Sequence, residues 1–143
     1  MNEGKVQPEE PPKPAAPITV LLVDDEESVL RVTSRLMQRA GFKVLTASDG
    51  RVAIDLFRAS KDEIHVVVVD LTLPGVNGET VCREIIGIKP GITVILASGY
   101  GADEVAARFS PGQIAGIVQK PYPHEALIAL VHKARTSPRP TGC

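Results

Sequence analysis

Aromatic side chains are scarce in this 143-residue chain: three Phe, two Tyr and no Trp. Stacking on nucleic-acid bases therefore has almost nothing to work with. Cysteine is sparse too, and Cys82 and Cys143 cannot build a disulfide scaffold. Neither sign of charge is in excess. Sixteen basic residues stand against 17 acidic ones, so the net charge of −1 makes no electrostatic case for nucleic acid or an anionic membrane. No apolar run approaches the roughly 20 residues of a membrane span. The first residues lack the apolar stretch of a secretory signal. No glycine-rich phosphate loop exists; Gly75-Val76-Asn77-Gly78 is too short. His65, His124 and His132 are scattered, none beside another ligand type at metal spacing, and read as structural or solvent-facing. Apolar residues reach 43%, enough for a core. The expectation is one soluble, cytoplasmic, globular domain.

Composition divides the chain in three. Residues 1–17 hold five of the twelve prolines, five charges and one large apolar residue, Val6. Such a segment cannot bury enough surface to offset its ordering entropy, and reads as an extended linker or tail. Residues 137–143 carry two more prolines and no periodicity, and read as a frayed end. Between them, residues 18–136 alternate two periods. Apolar runs of strand length are expected at Ile18–Val23, Lys43–Ala47, Ile64–Val69, Ile92–Ala97 and Ala115–Val118.

Helical spacing separates these runs. Val29, Leu30, Leu36, Met37 and Ala40 form the first stripe, with Gly41 placed as a C-terminal cap. Ser48 or Asp49 caps a second helix carrying Val52, Ala53, Leu56 and Phe57. Val81, Cys82, Ile85 and Ile86 make the third, which makes Cys82 a core thiol; Lys89-Pro90 lies beyond its end. Ala102–Phe109 is a short fourth. Pro123 fits the first turn of a fifth, with Ala126, Leu127, Leu130, Val131 and Ala134 on one face. The VVVV run at 66–69 lacks alternation, as a strand buried on both faces does. Five strands and five helices in strict alternation predict an α/β fold, a doubly wound five-stranded parallel sheet with helices on both faces.

In such sheets ligands bind outside the carboxyl ends of the strands. The first strand runs into Asp24-Asp25-Glu26-Glu27, the third into Asp70, the fourth into Ser98-Gly99 and the fifth into Gln119-Lys120-Pro121. Three carboxylates, a hydroxyl and an amine thus converge from four strands, although Asp25, Asp70, Ser98 and Lys120 lie 45, 28 and 22 positions apart. Clustered carboxylates repel unless a cation neutralises them. An oxygen-only set suits Mg²⁺, with Mn²⁺ as the alternative. An aspartate can act as nucleophile toward a phosphoryl group, and metal and lysine cations supply the charge neutralisation such transfer needs.

Four pieces, VLLVDDEESVLR, VVVVDLTLPGVNGETVCREI, ILASGY and VQKPY, stand in order on these strands. Over residues 18–136 the chain resembles the receiver domain of two-component response regulators. The resemblance implies a flavodoxin-like (βα)5 fold with strand order 2-1-3-4-5. It implies Asp70 as phosphoacceptor. Asp25, Asp70 and the backbone carbonyl of Thr72 would bind Mg²⁺ directly, with Asp24 helping through water. Lys120 would contact the phosphoryl group, and Ser98 would be the hydroxyl that moves toward it. Lys120-Pro121 would be cis. Phosphorylation would switch the face built from the fourth helix, fifth strand and fifth helix. The implied partner is a sensor histidine kinase or a histidine phosphotransfer domain, with no nucleic acid and no membrane, and with the chain a monomer or weak dimer. SGY after the fourth strand, with the proline-rich start, resembles receivers appended to hybrid sensor kinases; a stand-alone regulator is the alternative. One position departs from the pattern: Ile117 stands where family members usually carry an aromatic.

Each residue also has a plainer reading. Asp24–Glu27 are acids at a helix N-terminus, where the dipole favours them, and Glu26 and Glu27 need nothing more. Asp70 alone could be a cap, and Lys120 a surface lysine. Their shared edge argues against both. Two other function classes compete. An aspartate-nucleophile phosphatase would want a second aspartate two places after Asp70, where Thr72 stands. A phosphorylation-independent interaction domain would be expected to have lost an acid or the lysine.

Overall fold

A computed structural model describes residues 17–73, 75, 77–99, 104–105, 107–109 and 112–136. The strands are β1 (Thr19–Val23), β2 (Lys43–Ala47), β3 (Val66–Asp70), β4 (Thr93–Ser98) and β5 (Gly116–Gln119). The helices are α1 (Glu27–Arg39), α2 (Gly50–Ser60), α3 (Gly78–Ile88) and α4 (His124–Thr136). All neighbouring strands are parallel, in the order β2-β1-β3-β4-β5. This is the 2-1-3-4-5 sheet expected from the sequence.

Two cores explain the unbroken apolar strands. Successive side chains leave a strand on opposite faces. Leu21, Val67, Val69 and Leu96 therefore join Ile54 and Phe57 of α2 and Val81 and Ile85 of α3. Val20, Leu22, Val66, Val68 and Ile95 join Leu30 and Met37 of α1 and Leu127 and Val131 of α4. Every residue of β1, β3 and β4 is buried, while the edge strand β2 is partly exposed. Cys82 is fully buried in the first core, and burial pushes its thiol up to about 12.

Local signals place the helix ends. Gly41 follows α1 with φ 102°, a backbone that residues with a Cβ rarely adopt. Asp49, not Ser48, caps α2: its Oδ1 accepts from the Val52 N–H at 2.8 Å. Asn77 does the same for α3 through the Thr80 N–H. α4 begins one residue after Pro123, whose carbonyl accepts the Ala126 N–H.

Four expectations shift. Val52 is 45% exposed rather than on the buried face of α2, because Ala53, Ile54 and Phe57 already fill that face. Ala40 and Ala126 are exposed, the first as the C-cap of α1 and the second in the first turn of α4. The third, fourth and fifth strands each begin and end later than the apolar runs, because polar Asp70, Ser98 and Gln119 continue the ladder. Of the helix expected at 102–109, residues 102, 103 and 106 lie outside the described residues; of the others, Val105 is buried and Phe109 packs on the first core. The expected tails, at 1–17 and 137–143, lie outside the described residues except for Pro17, which is exposed. Among the described residues no helix is long and apolar enough to cross a membrane.

Candidate functional site

The sheet brings its carboxyl-terminal ends to one edge, and each backbone there is pinned. The Asp24 N–H donates to the Ala47 carbonyl at 3.2 Å, holding the turn out of β1 against the end of β2. Asp24 Oδ1 then accepts the Glu26 N–H at 2.9 Å, turning the chain into α1. Asp70 closes β3 and pairs with Ala97 in the ladder. Ser98 closes β4 and is fully buried. Its carbonyl accepts the Lys120 N–H at 2.7 Å, which fixes the lysine beside it. The Lys120-Pro121 peptide is cis, as the resemblance implies.

Asp70 is 1% exposed. A carboxylate so placed is costly without hydrogen bonds or a cation. Here Oδ2 accepts from Lys120 Nζ at 2.7 Å. Oδ1 accepts from both the Thr72 N–H at 2.9 Å and the Thr72 hydroxyl at 2.8 Å. Lys120 Nζ also reaches Asp24 Oδ2 at 3.3 Å, so one ammonium bridges two buried acids. Asp25 is exposed and completes a carboxylate group with Asp24 and Asp70, oxygens of all three lying within 4.8 Å of one another.

Burial and charge compete here. It raises the Asp24 carboxyl above its ordinary value, with Asp70 adding to the rise; the Glu26 N–H and Lys120 oppose it. Burial alone would lower the Lys120 ammonium, but its hydrogen bond to Asp70 and the charges of Asp70 and Asp24 outweigh that and raise it. The phenol of half-buried Tyr122 is raised by burial, against the pull of Lys120.

The donor set fits a hard divalent cation: oxygens only, three acids, one of them open to solvent. Because Asp24 has a raised value, folding favours its uncharged form. That stability is present below pH 3.8 and is lost as pH rises through the raised value. At neutral pH Asp24 is then a net cost without metal. We expect Asp24→Asn to raise the melting temperature by a few degrees in EDTA and to shrink the further rise on adding Mg²⁺, both read by calorimetry. A lower melting temperature in EDTA would contradict this electrostatic account.

Every site residue expected from the sequence lies at this edge. Asp24, Asp25, Asp70 and Lys120 are joined by the contacts above, and Ser98 is joined to them through the Lys120 backbone. Thr72 is present too, but through its N–H and hydroxyl on Asp70. Two features escape sequence reasoning. The Thr72 hydroxyl contact has no sequence signal. Gly78 reads as a turn residue, yet it opens α3 directly against the backbone of Asp70 and Leu71; a Cβ there would lie 2.6 Å from Leu71 Cα. Backbone cannot yield as a side-chain tip does. We expect Gly78→Ala to displace the loop after Asp70 and weaken Mg²⁺ binding at least tenfold, measured by calorimetric titration, with the far-ultraviolet spectrum unchanged. Wild-type affinity would show that the loop is free to give way.

Comparison with known proteins agrees with this geometry. The response regulator receiver domain model matches residues 20–132. The sensor kinase CckA of Brucella abortus is 33% identical over 113 residues, which is 79% of this chain and 12% of the kinase. A response regulator receiver domain protein from Clostridium thermocellum superposes with a TM-score of 0.76 at 28% identity, covering 82% of this chain and 93% of that one. The receiver domain of a hybrid histidine kinase CckA gives 0.69 at 26%, covering 81% and 97%. The chain spans 12%, 24% and 47% of the lengths of the first three curated relatives it matches.

Proposed function

The chain belongs to the response regulator receiver domain family, and from that premise we propose that its phosphoryl group is carried by Asp70. Receiver domains accept phosphoryl groups, and they bind Mg²⁺ through acidic residues. The observation that carries the assignment to Asp70 is its placement: a buried carboxylate at the end of the central strand, held by Lys120 and within reach of two further acids.

In the proposed reaction an Asp70 carboxylate oxygen attacks phosphorus in a partner's phosphohistidine. The O–P bond forms as the N–P bond breaks, and the imidazole leaves with the electron pair. Asp24, Asp25, Asp70 and the Thr72 carbonyl would hold Mg²⁺, which neutralises phosphoryl oxygens when bound. Lys120 releases Asp70 and pairs with a phosphoryl oxygen, a strong charge-assisted bond. The Ser98 hydroxyl turns toward another. Thr72 holds Oδ1 and so orients the carboxylate. The added charge and acceptor oxygens then bias a two-state element, here the face formed by β5, α4 and the segment between β4 and β5.

The donor is a sensor histidine kinase or a histidine phosphotransfer domain, and the setting is the cytoplasm. Similarity to CckA favours a hybrid sensor kinase as the parent over a stand-alone regulator. Nothing in the site favours phosphatase chemistry, since the Thr72 hydroxyl is a donor to Asp70 and no general acid. To locate the modified residue, the wild-type chain would be incubated with acetyl phosphate and Mg²⁺, reduced with borohydride and mapped by peptide mass. Homoserine at position 70 is the expected product. Homoserine at position 24 or 25 instead would refute the assignment.

A further inference from the structure

The first turn of α3 touches both the site and the segment that follows β4. Gly78 packs against the backbone of Asp70 and Leu71. Glu79 is the next residue, and Arg83 lies one turn on. Arg83 Nη2 donates to Glu79 Oε2 at 2.8 Å and to the carbonyl of Arg108 at 2.6 Å. Its guanidinium carbon stands 5.2 Å from the centre of the Phe109 ring, within cation–π range. Arg108 returns a weaker contact, its Nη1 lying 4.0 Å from Glu79 Oε1. Phe109 and Ile117 both pack on the core cluster that holds Leu71, Leu96 and Val105. Exposed ion pairs of this kind add little to stability. A single guanidinium holding a carboxylate, a main-chain carbonyl and a ring is nonetheless specific in position.

We propose that Arg83 is a coupling residue: it latches Arg108 and Phe109 onto the first turn of α3, and phosphorylation of Asp70, acting through Gly78, opens that latch. This rests on Asp70 being the phosphoacceptor. The loop after Asp70 and the first turn of α3 pack too closely to admit even a Cβ at Gly78, so a shift of that loop toward α3 pushes on Glu79 and its guanidinium partner. Contiguous contacts alone do not establish coupling; both ends must bias one equilibrium. Coupling is reciprocal, so releasing the latch must tighten binding of a phosphoryl mimic at Asp70.

The full chain, wild type and Arg83→Ala, would be titrated with beryllofluoride and Mg²⁺ by calorimetry, and its amide spectra recorded. We expect Arg83→Ala to bind the mimic at least about threefold more tightly, within the usual reach of such coupling. Its Arg108 and Phe109 amide signals, before any mimic is added, should already be displaced toward the positions they take in the bound wild type. Glu79→Gln, which weakens one arm of the latch, should move both readouts the same way by less. Arg58→Ala, which breaks a more exposed pair with Asp55 on α2, should move neither. Wild-type or weaker affinity in Arg83→Ala would overturn the latch. Failure of the wild type itself to bind the mimic would remove the phosphoacceptor reading and the latch together, and is distinct because no amide would shift.

Discussion

Asp70→Asn is expected to take up no phosphoryl group from acetyl phosphate and to keep its fold. The loss is complete because the nucleophilic oxygen is gone, whereas the shape is kept. The asparagine carbonyl oxygen can still accept from the Thr72 N–H and hydroxyl, as Asp70 Oδ1 does. Lys120 keeps Asp24 as a partner. Metal response should go with the phosphoryl chemistry. A ligand at a hundredfold excess over its Kd stabilises a fold by about 2.7 kcal/mol, so wild-type melting should rise clearly with Mg²⁺ and that of Asp70→Asn hardly at all. Intact mass and calorimetry read the two effects. Labelling of Asp70→Asn at the wild-type level would place the acceptor elsewhere.

Lys120→Ala should produce the second large effect, and it separates chemistry from response. In the wild type one ammonium bridges Asp70 at 2.7 Å and Asp24 at 3.3 Å. Its loss leaves two buried acids facing each other with no cation. Removing one partner of a buried pair costs about 3–5 kcal/mol. The site opens to solvent at Asp25, so water and ions relieve part of that, and we expect about 2 kcal/mol in EDTA, most of it recovered with Mg²⁺. Asp70 remains, so a phosphoryl group is still accepted, more slowly. The amide shifts that phosphorylation causes in the wild type should be missing, because the ammonium that would follow the phosphoryl group is absent. The raised value of Lys120 has its own signature: its stabilisation holds below pH 10.5 and is lost as pH climbs through the raised value. Urea titrations in EDTA should therefore converge for the two proteins above that pH. Full amide shifts in Lys120→Ala would show that the response runs without the lysine.

The sheet and its site were largely legible because both rest on position along the chain. Val66–Val69 could only be a strand with two buried faces, and the two cores are those faces. Once the strands were placed, Asp24, Asp70, Ser98 and Lys120 had to share an edge. Gly41 and Asp49 announced helix ends by their own conformational chemistry. What escaped lies in contacts that periodicity does not encode. The resemblance gives a role to the Thr72 carbonyl and is silent on its hydroxyl, which donates to Asp70. Gly78 reads as a turn residue, because only the fold decides that its missing Cβ admits the backbone of Asp70 and Leu71. Val52 fitted the helical stripe but faces outward, since three neighbours already fill the space. Ile117, which departs from the family's aromatic, is half-buried on the core shared with Phe109. The reach of Arg83 across 25 positions to a carbonyl is invisible before the fold exists.

The central claim, a Mg²⁺-dependent phosphoryl group on this chain, is tested most directly by intact mass after incubation with acetyl phosphate, with Mg²⁺ and with EDTA. A single phosphoryl adduct, present with Mg²⁺ and absent with EDTA, is the predicted result. An unmodified mass in both, from a protein whose melting curve shows an intact fold and whose amide spectrum ignores beryllofluoride, would contradict it.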